Sequence, residues 1–134
     1  METMKTNDFS MYRALPGVDY GRAVERVEEA LQAEGFGILT RIDVRETMRK
    51  KLDVEFRPYV ILGACNPPLA HRALSAEDTI GLMLPCNVVV AATDEGSEVA
   101  IARPHAMLDL ADAEGLSDVA DEAESRLARV LETL

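Results

Sequence analysis

The run YVILGACNPP, residues 59 to 68, places the tightest constraint on how this chain folds. Its first half is apolar on both faces and rich in β-formers, which is typical of a central strand of a sheet. Asn66 followed by Pro67 then opens a helix, because the amide accepts from free N–H groups of the first turn and the proline already has the required φ. The sequence therefore predicts a strand over 58–64 that passes directly into a short helix over 67–74.

A second Cys-Asn pair, Cys86 and Asn87, stands at the start of another apolar run, NVVVAA. The turn TDEGS and the run EVAIA follow it, and two β-rich runs joined by a Gly-containing turn are typical of a hairpin. We therefore expect paired strands over 87–92 and 98–102.

The other elements are predicted from periodicity and from helix capping. They are a strand over 9–15, an amphipathic helix over 20–34 capped by Asp19, an alternating strand over 37–44 with Ile38 and Thr40 on one face, and a polar helix over 45–53. Ser75 and Asp78 match a capping box for a second short helix that ends before Cys86, and Ser117 is the expected cap of a last amphipathic helix.

The resulting order is strand, helix, four strands with short helical inserts, helix. Adjacent strands with the helices set apart favour an α+β fold, with a mainly antiparallel five-stranded sheet and two long helices on one face. No linker or internal repeat divides the chain. We expect one domain over 11–134, preceded by a flexible segment over 1–10.

The chain carries a formal net charge of −10, from 24 acidic and 14 basic residues. This sign repels phosphate, whereas nucleic-acid binding needs a basic face that releases counterions. No apolar run approaches the length of a membrane span, and the N-terminal residues do not resemble a secretory signal. With only two cysteines, we expect an acidic cytoplasmic protein with reduced thiols that binds neither nucleic acid nor membrane.

The candidate chemistry lies where the two Cys-Asn pairs meet. If strands 58–64 and 87–92 are antiparallel neighbours, Cys65 and Cys86 lie at the same end of the sheet, and His71 could point toward them. Three such ligands are the number that a catalytic zinc site uses. The spacing matches no close metal-binding pair, however, so buried structural cysteines and a catalytic or redox thiol are the alternatives.

The helix that begins at Asn66 suggests two further roles for this end of the sheet. Free N–H groups and the helix dipole would stabilise the thiolate of Cys65 and so lower its pKa if the thiol is accessible. The same donors attract anions, so a small carboxylate or phosphate could bind over Asn66 to Leu69, although two prolines remove two of the donors.

Three segments resemble the bacterial and archaeal proteins grouped as domain-of-unknown-function family 302 (DUF302). They are EEALQAEGFGILTRIDVRETMRKKLD (28–53), YVILGACNPPLAHRAL (59–74) and IGLMLPCNVVV (80–90). The resemblance implies an α+β fold similar to the TATA-binding-protein class, often seen as a homodimer, and it implies no settled activity. It marks Cys65, Asn66, Pro67, His71, Cys86 and Asn87 as the positions to test.

These observations lead to one hypothesis and two alternatives. The leading hypothesis is a small-ligand or metal-ion binding module that uses Cys65, Asn66, His71, Cys86 and Asn87, with Cys65, His71 and Cys86 as the metal ligands. The first alternative is a thiol-dependent redox or transfer enzyme acting through Cys65. The second is a structural or regulatory homodimer that pairs through an uncovered sheet face. No cofactor is indicated.

Overall fold

A computed structural model describes residues 3–134 of the chain. It contains five strands, which are β1 (Ser10–Pro16), β2 (Gly37–Asp43), β3 (Tyr59–Cys65), β4 (Cys86–Thr93) and β5 (Gly96–Ala102). The α-helices are α1 (Tyr20–Ala33), α2 (Val44–Leu52), α3 (Pro67–Ala76), α4 (Pro104–Leu108) and α5 (Leu116–Glu132), and a 3₁₀ helix spans Asp78–Met83. None of these helices combines the length and the apolar composition needed to cross a bilayer.

The five strands form one sheet in the order β1-β5-β4-β3-β2, and every neighbouring pair is antiparallel. Strands β4 and β5 are the predicted hairpin, closed by a turn in which Gly96 has a positive φ. The predicted α+β fold with a five-stranded antiparallel sheet is confirmed. Its likeness to the TATA-binding-protein class stays a prediction.

The two long helices pack on one face of the sheet. Valines at the centre of the sheet face them, with Val90 opposite Val60 on one side and Val99 on the other. Helix α1 contributes Ala23, Val27 and Leu31 to this core, and α5 contributes Leu127, Val130 and Leu131. All of these side chains are buried, so removing apolar surface from water holds the helices on the sheet.

A second core cluster lies beyond the end of the sheet. It joins α3, the 3₁₀ helix, α4 and the first half of α5, and its buried residues include Leu69, Ile80, Leu108 and Leu116. The first half of α5 therefore packs in this cluster and its second half packs over the sheet. In this way α5 ties the two cores together.

The opposite face of the sheet, which we call the open face, carries no helix-packed core. Ile61, Val89 and Ala100 lie next to one another across β3, β4 and β5, and all three are half-buried. Ile42 lies beside Ile61 on the edge strand β2 and is 48% exposed. The open face is thus apolar at its centre.

A polar cluster covers one end of the open face. Glu98 has a fully buried side chain, and one of its oxygens lies 2.7 Å from Nη1 of Arg57. The Tyr12 hydroxyl donates to the other oxygen at 2.9 Å, and the N–H of Met4 donates to the same atom at 3.0 Å. Because a buried carboxylate without partners would be costly, these three donors together stabilise Glu98 in place.

Residues of the segment 1–10, which we predicted to be flexible, take part in this arrangement. Met4 contacts Glu98, and Ser10 already belongs to β1. Residues 1 and 2 lie outside the part of the chain that the structure describes.

The prediction that Ile38 and Thr40 share one face of β2 is wrong. Ile38 lies opposite Ala64 and Thr40 opposite Gly63, which leaves Leu39 as an extra residue on the bulged strand. A bulge shifts the alternation by one residue, so Ile38 packs against the main core while Thr40 faces the other side.

Two predicted helix caps are also wrong. Helix α5 begins at Leu116, and its N-cap is Gly115, so Ser117 lies inside the first turn. The 3₁₀ helix is capped by Glu77, whose carboxylate accepts from Thr79, whereas Ser75 belongs to α3 and its hydroxyl donates to the carbonyl of His71. The Asp19 cap on α1 is confirmed.

Candidate functional site

The pairing of β3 with β4 positions the candidate site. Ala64 lies opposite Cys86 in an antiparallel register. Cys65 at the exit of β3 and Cys86 at the entrance of β4 therefore lie at the same end of the sheet. The chain between them, α3 and the 3₁₀ helix, packs over that end as part of the second core cluster.

A small cavity separates the two core clusters at this end. Its volume is about 30 Å³, and Cys65, Asn66 and Cys86 line it together with apolar side chains from α3 and α5. A volume of this order holds a water molecule or two rather than an organic ligand. This inner cavity is therefore a packing defect beside the thiols.

A larger opening lies next to it, and we call it the end groove. It has a volume of about 150 Å³, and its walls come from the 3₁₀ helix, the start of β4, the end of β5, and α4. Its lining includes Met83, Pro85, Cys86, Ala102, Met107 and Leu108. Cys86, Pro85, Leu84 and Leu108 line both the inner cavity and the end groove.

Gly63 fixes one wall of this region. A Cβ atom at Gly63 would collide with Oγ1 of Thr40 and would lie 2.8 Å from Cγ of Pro85. Both contacts are closer than real side chains tolerate, so glycine is required where Thr40 of β2 and the Pro85 turn converge on β3.

Asn66 holds the start of α3, as its position before Pro67 predicts. Its Oδ1 accepts from the N–H of Leu69 at 3.2 Å, and its backbone carbonyl accepts from Ala70 at 2.9 Å. Pro67 and Pro68 have no N–H. The first turn of α3 therefore has no donor left to hold the anion expected over Asn66 to Leu69.

Both thiols are unpaired, and both are poorly ionised. Burial raises the pKa of Cys65. Burial, together with the nearby Cys65, raises the pKa of Cys86 to about 11. The lowering of the Cys65 pKa that we expected for an accessible thiol beside the helix N-terminus is not found, because burial disfavours the charged thiolate.

The remaining predicted site residues divide between the end groove and solvent. Asn87 is exposed at the rim of the groove and lines it. His71 is exposed on α3 and lines neither cavity. Within residues 3–134, no three His, Cys, Asp or Glu side chains are grouped as a metal site requires, so Cys65, His71 and Cys86 do not form one.

Sequence reasoning missed α4 and with it one wall of the end groove. The sequence does contain a signal for this helix, which is Pro104. Proline is frequent in the first turn of a helix, and Pro104 opens α4 as Pro67 opens α3. Met107 and Leu108 of α4 line the groove. Met83 lies on the facing 3₁₀ helix, within the apolar run TIGLML.

His105 connects α4 to α5. Its Nδ1 lies 3.0 Å from Asp109 of α4, and its Nε2 lies 2.6 Å from Asp121 of α5. Glu124 of α5 accepts from the backbone N–H of His105 and also pairs with Arg103. Since carboxylates only accept, both ring nitrogens donate when the imidazole is protonated, and its hydrogen bonds to Asp109 and then to Asp121 raise its pKa.

The fold and the site define a class: a one-sheet α+β protein whose sulfur-lined opening lies at the end of an antiparallel sheet. The family model described as "Domain of unknown function DUF302" matches residues 11–134. The chain therefore belongs to the DUF302 family, as its sequence indicated.

A solved structure agrees with this assignment. It is the uncharacterised conserved DUF302 protein from Bacillus stearothermophilus, which is 31% identical in sequence and superposes with a TM-score of 0.84. The similarity covers 93% of this chain and 97% of that one. No curated protein matches the sequence.

The raised thiol pKa values predict slow alkylation. At neutral pH, iodoacetamide should modify both cysteines more slowly in the native protein than in an unfolded control. Cys86 should be the slower of the two, and its rate should be about a hundredfold lower than its rate in that control. Mass spectrometry of each cysteine peptide over time measures the rates. A native Cys65 that reacts as fast as the unfolded control would contradict the burial of this thiol.

The His105 contacts predict a pH-dependent contribution to stability. The pKa of His105 is higher in the folded state than its ordinary value of 6.5, so the protonated imidazole stabilises the fold. This stabilisation is complete below pH 6.5 and is lost as pH rises through the raised pKa. The difference in unfolding free energy between wild type and His105→Gln should therefore be largest in acid, at less than about 1 kcal/mol for so accessible a group, and should shrink in alkali. Urea unfolding at several pH values measures it. The control Arg22→Gln, which removes an exposed pair with Glu25, should show no such trend.

Proposed function

We propose that this DUF302 protein is a non-enzymatic, cytoplasmic binding module that holds a small, weakly hydrated ligand in the end groove. The observation that carries the proposal is the groove itself, an opening of about 150 Å³ between the 3₁₀ helix, the sheet end and α4. An apolar cavity of about that size in another protein binds benzene. The two unpaired thiols agree with a reducing, cytoplasmic setting.

The chemistry of the lining favours a ligand that needs no charged partner. The wall is mainly apolar, its lining includes Met83, Cys86, Met107 and Leu108, and Asn87 adds an amide at the rim. No carboxylate, amine, guanidinium or imidazole from residues 3–134 lines the groove. A strongly hydrated ion or sugar would lose its water shell there without replacement contacts.

The same lining argues against the enzyme alternative. A thiol catalyst needs a thiolate or a base to make one, and the pKa of Cys65 and that of Cys86 are both raised. Among the described residues, no imidazole or carboxylate shares either cavity with the thiols. Binding without turnover is therefore the simpler role.

Filling the end groove should abolish ligand binding. Ala102 lines the groove, so Ala102→Leu should block it, whereas Ala33→Leu enlarges an exposed residue at the end of α1, outside the lining. Toluene is a suitable probe, and the ¹³C-labelled methyl groups of Met83 and Met107 report its binding by NMR. Wild type and Ala33→Leu should show saturable shifts, and Ala102→Leu should bind toluene at least about tenfold more weakly. Unchanged methyl signals in wild type at toluene saturation would contradict the proposal.

A second role is compatible with the first and is favoured by the open face. Its centre, Ile61, Val89 and Ala100, is apolar and half-buried. Among residues 3–134, the buried charge on this face is Glu98, which is already paired with Arg57. A second copy of the chain could therefore cover this face without desolvating an unpaired carboxylate. We propose a homodimer through the open face as this second role.

Sedimentation tests the dimer. Wild type at micromolar concentration should sediment as a dimer, and Ile61→Lys should sediment as a monomer because it buries an unpaired charge in the interface. Leu110→Lys changes a side chain that is 73% exposed, in the segment between α4 and α5, and should leave the dimer intact. A wild-type monomer at this concentration would overturn the second role and leave the first standing.

A further inference from the structure

We infer that the end groove binds copper(I), through the thiolate of Cys86 and the thioether sulfurs of Met83 and Met107. This inference rests on the binding role proposed above and names the class of ligand, a soft monovalent cation. It does not use Cys65 or His71.

Three separate elements bring these residues to one opening. Met83 ends the 3₁₀ helix, Cys86 begins β4, and Met107 lies in α4. All three residues are half-buried and line the same groove of about 150 Å³. Methionine has three rotatable bonds, so its thioether can adjust its position toward an ion held by Cys86.

The donor set selects a soft metal. Thiolate and thioether ligands prefer copper(I), whereas carboxylate, carbonyl and imidazole ligands suit magnesium, calcium or zinc. The groove offers sulfur from three residues and no carboxylate or imidazole. Within residues 3–134, no group of three His, Cys, Asp or Glu residues provides a competing site for a harder ion.

The charge balance suits an apolar groove. When copper(I) binds, the Cys86 thiol loses its proton to solvent and a copper–sulfur bond forms, with no change in the oxidation state of either atom. One monovalent cation, one thiolate and two neutral thioethers give a neutral complex. A divalent ion on the same ligands would leave a net positive charge, which is costly to bury among Leu84, Pro85 and Leu108.

The test is an anaerobic titration of reduced protein with copper(I), supplied as its acetonitrile complex and competed by a colorimetric copper(I) chelator. We expect one ion per chain, with NMR shifts of the Met83 and Met107 methyl groups and none of Met11 and Met48. Cys86→Ala should weaken binding by at least about 100-fold, and Met83→Leu and Met107→Leu by about tenfold each. These methionine variants conserve volume and so preserve the fold.

Matched controls make the outcome decisive. Met48→Leu, on α2 away from the groove, and Met11→Leu, on β1, should bind as wild type does. Copper(I) binding that survives Cys86→Ala, or that Met48→Leu weakens as much as Met83→Leu does, would overturn the inference. Toluene binding without copper(I) binding would overturn the copper site and leave the groove as a ligand site, whereas failure of both probes would overturn both proposals.

Discussion

The antiparallel pairing of β3 with β4 is the constraint on which the rest of the structure depends. With Ala64 opposite Cys86, the chain must leave the sheet and return to it at the same end. The intervening α3 and 3₁₀ helix cannot pack on the valine core beneath α1, so they form a second core with α4 and the first half of α5. Where these two cores meet, the packing is incomplete, and both cavities lie there.

Much of this fold follows from local patterns in the sequence. The apolar run before Cys65 predicts a central strand, and the caps at Asp19 and Asn66 are found as predicted. The failures occur where a local signal competes with tertiary packing. The bulge at Leu39 is invisible to a count of alternating residues. Ser117 is not the cap because α5 already begins at Leu116, whose side chain is buried, and the cap lies two residues earlier, at Gly115.

The candidate site was predictable in its position and not in its chemistry. Neighbouring antiparallel strands were enough to bring Cys65 and Cys86 to one end of the sheet. The expected lowering of the Cys65 pKa is not found, because its burial depends on residues distant in sequence. His71 was expected near the thiols, yet the rotation of α3 is set by burying Leu69 and Ala73, which leaves the imidazole in water. The sequence did not mark Met83 and Met107 as site residues, because a methionine in an apolar run is usually a core residue.

Gly63 has a consequence for the whole molecule. The hydroxyl of Thr40, on the edge strand, and the ring of Pro85, on the groove wall, both rest on this one backbone position, with no space between them for a methyl group. Any residue larger than glycine at this position would have to move the edge strand or the proline turn outward. The outer strand and the wall of the opening are therefore fitted to each other across one position of β3.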